Sequence, residues 1–320
     1  MGRVVIVGSL NLDRWARVER LPAPGETVTA HESATGPGGK GLNQAVAASR
    51  AGATVELIGC VGDDEAGRRL LDVLEAEGIG IAAMAIVTGA STGLAMVWVD
   101  EHGANSIVVV GGANDHLGLR SDAHSDLLGA LDLDATDVVA AQGETSLAVT
   151  EQVFREARRR GARTLLNLAP YSRPSAGLLA ETSVLVVNTS EFALLVAELV
   201  PERLPHDLSS APDRLVDAAK AVLTMGPEVV VVTLGADGVV AVTATSVHAI
   251  DAHEVPVVDT TGAGDGFVGV FAGELARGSE AVAALRFATA AASLVVQEPG
   301  AASSMPNRDR IDGAISGRHP

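Results

Sequence analysis

Val258-Asp259-Thr260-Thr261-Gly262-Ala263-Gly264-Asp265-Gly266-Phe267 is the stretch around which the rest of this chain is read. The apolar run Val255 to Val258 predicts an extended lead-in. The small residues after it predict a turn, and the apolar pattern that follows predicts a helix to about Arg277. Strand, glycine turn and helix start together aim several free backbone N–H groups at one point, and the helix dipole adds to their preference for an anion. Asp265 stands at the same place. If the anion is a phosphoryl group in transfer, this carboxylate can take the proton of the attacking hydroxyl. Taken alone, it could equally be an acidic residue in the first turn capping its own helix.

Composition sets the frame for that motif. The chain has 320 residues, of which 47% are hydrophobic but only 2% aromatic, so its core must be built from Val, Leu, Ile and Ala. A formal charge of -17 argues against a nucleic-acid surface, although backbone dipoles can still bind phosphate locally. Cys60 is the only cysteine, and the eight histidines are scattered, so neither a disulfide framework nor a transition-metal cluster is expected. Met1-Gly2-Arg3 runs directly into an apolar strand, and the long apolar segment Glu280 to Gln297 carries Arg286 and is short for a membrane span. The expectation is a soluble cytoplasmic protein with no membrane partner.

Along the chain, strands and helices alternate. Val4 to Gly8, Thr54 to Gly59, Val138 to Ala141, Arg163 to Asn167, Val184 to Val187 and Val229 to Leu234 read as buried strands. Leu42 to Arg50, Glu65 to Glu77, Asp122 to Leu131, Leu147 to Arg160, Glu191 to Leu199 and Asp213 to Leu223 read as helices. Gly238 to Thr243 and Val247 to Ile250 read as antiparallel edge strands, and Pro201 to Pro212 as a Pro-broken connection. This order predicts an α/β fold of three layers, α/β/α, around a mostly parallel sheet. Arg14 to Thr35 lacks helical period and reads as two further strands. Gly93 to Val99 and Ser106 to Val110 read as a hairpin across Asp100-Glu101-His102-Gly103. These four strands would make a small β-sheet lid. The core would then be 1–13, 36–91 and 111–320, with 14–35 and 92–110 as the lid.

Polar residues gather at the predicted strand ends. Asn11 and Asp13 follow the first strand, Glu144 follows another, and Asn167, Asn188 and Glu191 lie at or just past two more. Side chains at successive carboxyl ends converge on one rim. Amides and carboxylates without aromatic partners suit the hydroxyls of a small polyol. Asn188 and Glu191 also have the spacing of a helix capping box. Gly36-x-Gly38-x-x-Gly41 matches a dinucleotide fingerprint literally, but it lies far from the first strand, and Lys40-Gly41 is not a Walker A ending. Thr233-Leu234-Gly235-Ala236-Asp237-Gly238 could hold nucleotide phosphates or simply be a hairpin turn.

Taken together these stretches resemble the ribokinase-like sugar kinases, the phosphofructokinase-B type superfamily. Gly38-Gly39-Lys40-Gly41-Leu42-Asn43-Gln44-Ala45 is similar to the superfamily's amino-terminal signature, and Asp259 to Asp265 to its carboxyl-terminal one. Gly8 to Asp13, Pro24 to Val28, Ser91-Thr92-Gly93 and Gly111 to Asn114 are most similar to the ribose-phosphorylating branch. The resemblance implies ATP-dependent phosphorylation of a primary hydroxyl of a small sugar, D-ribose to D-ribose 5-phosphate. It implies Asp265 as catalytic base and Gly262, Ala263 and Gly264 as anion hole. Asn11, Asp13, Gly39, Lys40, Asn43 and Glu144, with Asp265, would hold the sugar. Asn188, Glu191, Thr233, Gly235, Gly238, Gly264 and Thr289 would hold ATP, with Mg²⁺ reached from Asn188 and Glu191 through water. Asp259, Thr261, Gly300 and Ser304 would hold a monovalent cation, K⁺. Separately from the resemblance, an exposed apolar face on the lid would suit pairing with a second subunit, giving a homodimer. Trp15 and Tyr171-Ser172-Arg173 depart from the family's pattern. The alternatives are a kinase of deoxyribose, fructose, adenosine or pseudouridine on the same fold, or a non-catalytic sugar-binding protein. A dinucleotide-dependent oxidoreductase stands further off.

Overall fold

The computed structural model describes residues 2–102, 104–118, 132–203 and 212–317. The helix expected over Asp122 to Leu131 and most of the Pro201 to Pro212 connection lie outside them. The strands are β1 (Val4–Val7), β2 (Asn11–Val18), β3 (Ala30–Gly38), β4 (Val55–Gly62), β5 (Met84–Val87), β6 (Leu94–Val99), β7 (Asn105–Val110), β8 (Val138–Gln142), β9 (Arg163–Asn167), β10 (Val184–Asn188), β11 (Val229–Thr233), β12 (Val239–Thr243) and β13 (Val247–Ile250). The helices are α1 (Lys40–Arg50), α2 (Glu65–Ala76), α3 (Leu147–Arg159), α4 (Ala176–Ala180), α5 (Thr189–Leu199), α6 (Pro212–Leu223), α7 (Ala263–Ala276), α8 (Ala281–Val295) and α9 (Arg308–Ile315).

The large sheet runs β13-β12-β11-β10-β9-β8-β1-β4-β5. It is parallel from β11 to β5, and only β12 and β13 run antiparallel, at one edge. Continuous valine runs such as Val229 to Val232 suit strands covered on both faces. Strand alternation divides them between two cores. Val4 and Ile6 pack with α1, α7 and α8 on one side, whereas Val5 and Val7 pack with α3, α5 and α6 on the other. The three layers expected from the sequence are therefore present. Among the described residues no helix is long and apolar enough to cross a membrane.

The second sheet has the order β3-β2-β6-β7. β6 and β7 form the expected antiparallel hairpin, β2 pairs with β3 antiparallel and with β6 parallel. β2 starts at Asn11 and β3 ends at Gly38, so Asn11 and Asp13 ride on this sheet.

One expectation fails. Val255 to Val258 forms no strand. Instead the N–H groups of Val258 and Asp259 both donate to the Val296 carbonyl, at 2.8 and 3.2 Å, which pins the segment to the end of α8. Val257 and Val258 stand exposed. The turn and helix behind it form as expected. α7 is apolar around its whole circumference and buried from Asp265 to Ala276, which fits a helix enclosed by neighbours.

Candidate active site

The chain leaves β1 for β4 on one side and returns to β8 on the other, so the sheet's order reverses between β1 and β8. Ligand crevices in open α/β sheets form at such points, outside the carboxyl ends. Here Ser9 Oγ donates to Glu144 Oε2 at 2.5 Å across the gap, and the Lys40 N–H donates to the same oxygen at 2.9 Å. The turn before α1 crosses directly over residues 8–11. A Cβ on Gly39, whose φ is 86°, would lie 2.9 Å from the Ser9 carbonyl, and one on Gly41 would lie 2.6 Å from the Ser9 nitrogen. Glycines are required there by close approach of backbone.

Asn11 is fixed by Asn114, whose Nδ2 donates to Asn11 Oδ1 at 2.9 Å while its Oδ1 accepts from the Leu10 N–H. Asp13 is different. Burial, then the nearby Glu144 charge, push its carboxyl up to about 7, against a hydrogen bond from Ala95. Asp13 Oδ1 and Asn43 Oδ1 are both buried without a hydrogen-bond partner among the described residues. Buried acceptors normally find donors; Asn11, Asp13, Gly39, Asn43 and Glu144 lie outside the wall of the cavity that Asp265 lines, and Asn43 reaches it only through Asp265.

Asp265 is 6% exposed. Asn43 Nδ2 donates to its Oδ2 at 2.9 Å, Gln44 Nε2 donates to its Oδ1 at 3.0 Å, and Lys40 Nζ stands 4.0 Å from Oδ1. The Asp265 charge raises the Lys40 amine above its ordinary range despite burial. Gly262, with φ 80°, makes the left-handed turn into α7. The Ala263 N–H contacts the Thr260 carbonyl at 3.3 Å. The N–H groups of Gly262, Gly264 and Asp265 have no hydrogen-bond acceptor among the described residues, as befits the open first turn of a helix.

A cavity of about 230 Å³ gathers Lys40, Asn167, Asn188, Glu191, Thr233, Thr260, Gly262, Gly264 and Asp265. Asn188 and Glu191 do form the capping box, each side chain accepting the other's N–H at 2.9 Å. Glu191 Oε1 and Asn188 Nδ2 keep no protein partner among the described residues, and burial raises the Glu191 carboxyl. A larger cavity of about 930 Å³, lined by His253, Pro256, Ser293 and Arg310 among others, contains none of the predicted site residues.

The predicted cation ligands form their own cluster, next in the chain to Thr260 and Gly262 of the smaller cavity. Asp259 accepts from the N–H groups of Thr261 and Gly300, both at 2.9 Å, and Ser304 Oγ donates to the Gly300 carbonyl at 2.7 Å. Although burial acts the other way, those N–H groups hold the Asp259 carboxyl below its ordinary range. No group of three or more His, Cys, Asp or Glu side chains is placed to hold a metal ion among the described residues. Gly235 and Gly238 lie in the β11–β12 turn, outside the cavity wall. Thr289 is buried in α8, its hydroxyl donating to the Leu285 carbonyl, and does not reach the cavity wall either. The sequence reading gave no role to Gln44 or Gln142. The visible signal for Gln142 was a polar residue ending an apolar strand just before Gly143-Glu144.

Residues 1–308 match the model of the pfkB family carbohydrate kinases. The chain is 33% identical to a ribokinase of Schizosaccharomyces pombe, over 99% of this chain and 98% of that protein. It is 36% identical to a ribokinase of Bacillus subtilis, over 99% and 100%. The structure of Arabidopsis thaliana ribokinase complexed with ribose and ATP superposes with a TM-score of 0.85 at 29% identity, covering 98% of this chain and 99% of that one.

Proposed function

This chain belongs to the pfkB family of carbohydrate kinases, and from that premise we propose that it phosphorylates the 5-hydroxyl of D-ribose with ATP. It is an ATP-dependent carbohydrate kinase, and the ribokinases it is similar to over nearly its whole length support ribose as the acceptor. The observation that carries the reading is the buried carboxylate of Asp265 beside the open amides of the α7 start. The ribose oxygen attacks the γ-phosphorus in line, and the bond from that phosphorus to the β–γ bridging oxygen breaks. The hydroxyl proton passes to Asp265, and ADP leaves. The N–H groups of Gly262 and Gly264, with Ala263 more weakly, face the transferring group. Donors placed this way typically lower the barrier by about 3–4 kcal/mol.

Asn11, Asp13, Gly39, Lys40, Asn43 and Glu144 hold the sugar in this reading. The unpartnered oxygens of Asp13 and Asn43 accept from its hydroxyls. Asn188, Glu191, Thr233, Gly235 and Gly238 hold ATP, with Thr289 behind them. Glu191 and Asn188 keep polar atoms suited to the water shell of Mg²⁺, which neutralises the phosphates when bound. Asp259, Thr261, Gly300 and Ser304 supply carboxylate, carbonyl and hydroxyl oxygens, a donor set that fits K⁺, whose charge would order the loop behind the anion hole. The second sheet acts as a lid that keeps water from competing for the phosphoryl group. Its exposed strand β7 pairs the chain into a homodimer, and an ATP-dependent reaction suits the cytoplasm.

Asp265→Asn tests the base. Turnover should fall roughly 10²–10⁴-fold, with the KM of ATP and of ribose within about threefold of wild type. Turnover like wild type in that variant would remove the assignment. Coupled ADP detection over ribose, deoxyribose, fructose, adenosine and pseudouridine tests the acceptor, and ribose should give the highest kcat/KM.

A further inference from the structure

Behind Asp265 lies a chain of amides whose direction is set by the backbone. Asn167, at the end of β9, donates from Nδ2 to the Val186 carbonyl at 3.2 Å. A carbonyl only accepts, so this contact fixes which end of the Asn167 amide is which. Its Oδ1 therefore faces Gln44, whose Nε2 lies 3.0 Å away. The second hydrogen of that nitrogen points to Asp265 Oδ1, also at 3.0 Å. Gln44 Oε1 accepts from Gln142 Nε2 at 2.7 Å. The anchors are cross-strand neighbours, Gln142 opposite Asn167 and Asn167 opposite Val186. Gln44 and Gln142 are fully buried and take no part in the cavity wall.

Were the network only filling, it would be a poor one. Gln142 Oε1 is buried without a partner among the described residues, packed where a Cβ on Gly8 would come within 2.2 Å of it. An orphaned acceptor is costly, and an apolar side chain would avoid it. What the arrangement secures is the orientation of one N–H toward the carboxylate, opposite the one that Asn43 presents to Oδ2. Each oxygen of the Asp265 side chain thus has one side-chain amide donor of its own. We infer that Gln44 is a positioning residue for Asp265, itself oriented by Asn167 and Gln142, and that it holds the carboxylate in the rotamer that meets the acceptor hydroxyl. This rests on the reading of Asp265 as the base. The other charged groups facing Asp265 are Lys40, Asp13 and Glu191.

The test uses Gln44→Met, which keeps length and loses the donor, and Gln44→Glu, which puts a second carboxylate in its place. Both are assayed with ribose and ATP from about pH 5.5 to 9, with thermal unfolding as the check on folding. Gln44→Met should lose about 10- to 100-fold in kcat, with both KM values within about threefold of wild type. Gln44→Glu should in addition move the acidic limb of the kcat profile upward by about one pH unit or more, because like charges so close resist joint ionisation. Should Gln44→Met fail to fold, Gln142→Leu replaces it, with an expected loss of about three- to tenfold in kcat at unchanged KM. Wild-type kcat and a wild-type acidic limb in the folded variants overturn the inference. Asp265→Asn, run alongside, separates the two readings. If it turns over normally, the base assignment fails. If it is inactive while the Gln44 variants behave as wild type, only the positioning role fails.

Discussion

At position 264 a methyl group would meet no protein atom within 4 Å, yet the residue lines the cavity beside Asp265. The glycine two places earlier has a different reason to be there. Gly262 has φ 80°, and a Cβ on it would come 3.0 Å from Ala301. Gly264→Ala should therefore unfold at the wild-type temperature but lose about tenfold or more in kcat, since its methyl takes the space of the transferring group. Gly262→Ala should cost about 1–2 kcal/mol in the left-handed region and melt a few degrees lower. Thermal melts and ADP assays on the pair distinguish the two roles, and equal melting losses would remove the contrast. Asp13 makes a second residue-scale prediction. Its folded-state value of about 7 lies above the ordinary 3.8. Stability linked to this group is full below about pH 4 and is lost as pH rises through about 7, because burial opposes the charged form. Asp13→Asn should then melt above wild type at pH 8, with the difference shrinking at pH 5. A pH-independent difference would contradict the burial argument.

α7 shows why an element can be legible while its contacts are not. Its start was readable from Gly262 to Asp265, because a run of small residues before an apolar helix has few other structural meanings. The strand ends were readable for the same local reason: Asn11, Glu144 and Asn188 each follow an apolar run. Gln44 and Gln142 carried no such signal, since their hydrogen bond joins residues brought together only by the fold. Val255 to Val258 was misread because apolar spacing does not reveal whether a segment pairs with a strand or, as here, is tied to the end of a helix. The close crossing of α1 and α7 was equally invisible. A Cβ on Gly269 would lie 2.2 Å from the Gln44 carbonyl, so Gly269 sets how near Asp265 comes to Asn43 and Gln44. Gly269→Ala should push the helices apart, at about 1–3 kcal/mol. It should also lower kcat, although residue 269 lies outside the cavity wall. Destabilisation with an unchanged kcat would show that the helix spacing does not set the alignment of the base.

For the whole molecule the open question is what covers the second sheet. β7 is its edge strand, and Ile107, Val108, Val109 and Val110 are between 42% and 56% exposed. Both faces of that strand are apolar and its edge is unpaired among the described residues, a combination that single chains usually avoid. A second copy placing its own β7 against this one would bury the four side chains symmetrically. Charge works against such pairing, because each chain carries -17. Salt screens that repulsion, with a Debye length falling from about 30 Å at 0.01 M to about 8 Å at 0.15 M. The homodimer should therefore strengthen as salt rises over that range. Ile107→Asp with Val109→Asp places two carboxylates on the apolar edge and should leave the protein monomeric at every salt concentration. Sedimentation velocity on wild type and variant decides it. A wild-type protein that stays monomeric at high concentration and 0.15 M salt would mean that β7 is covered by something other than its own copy.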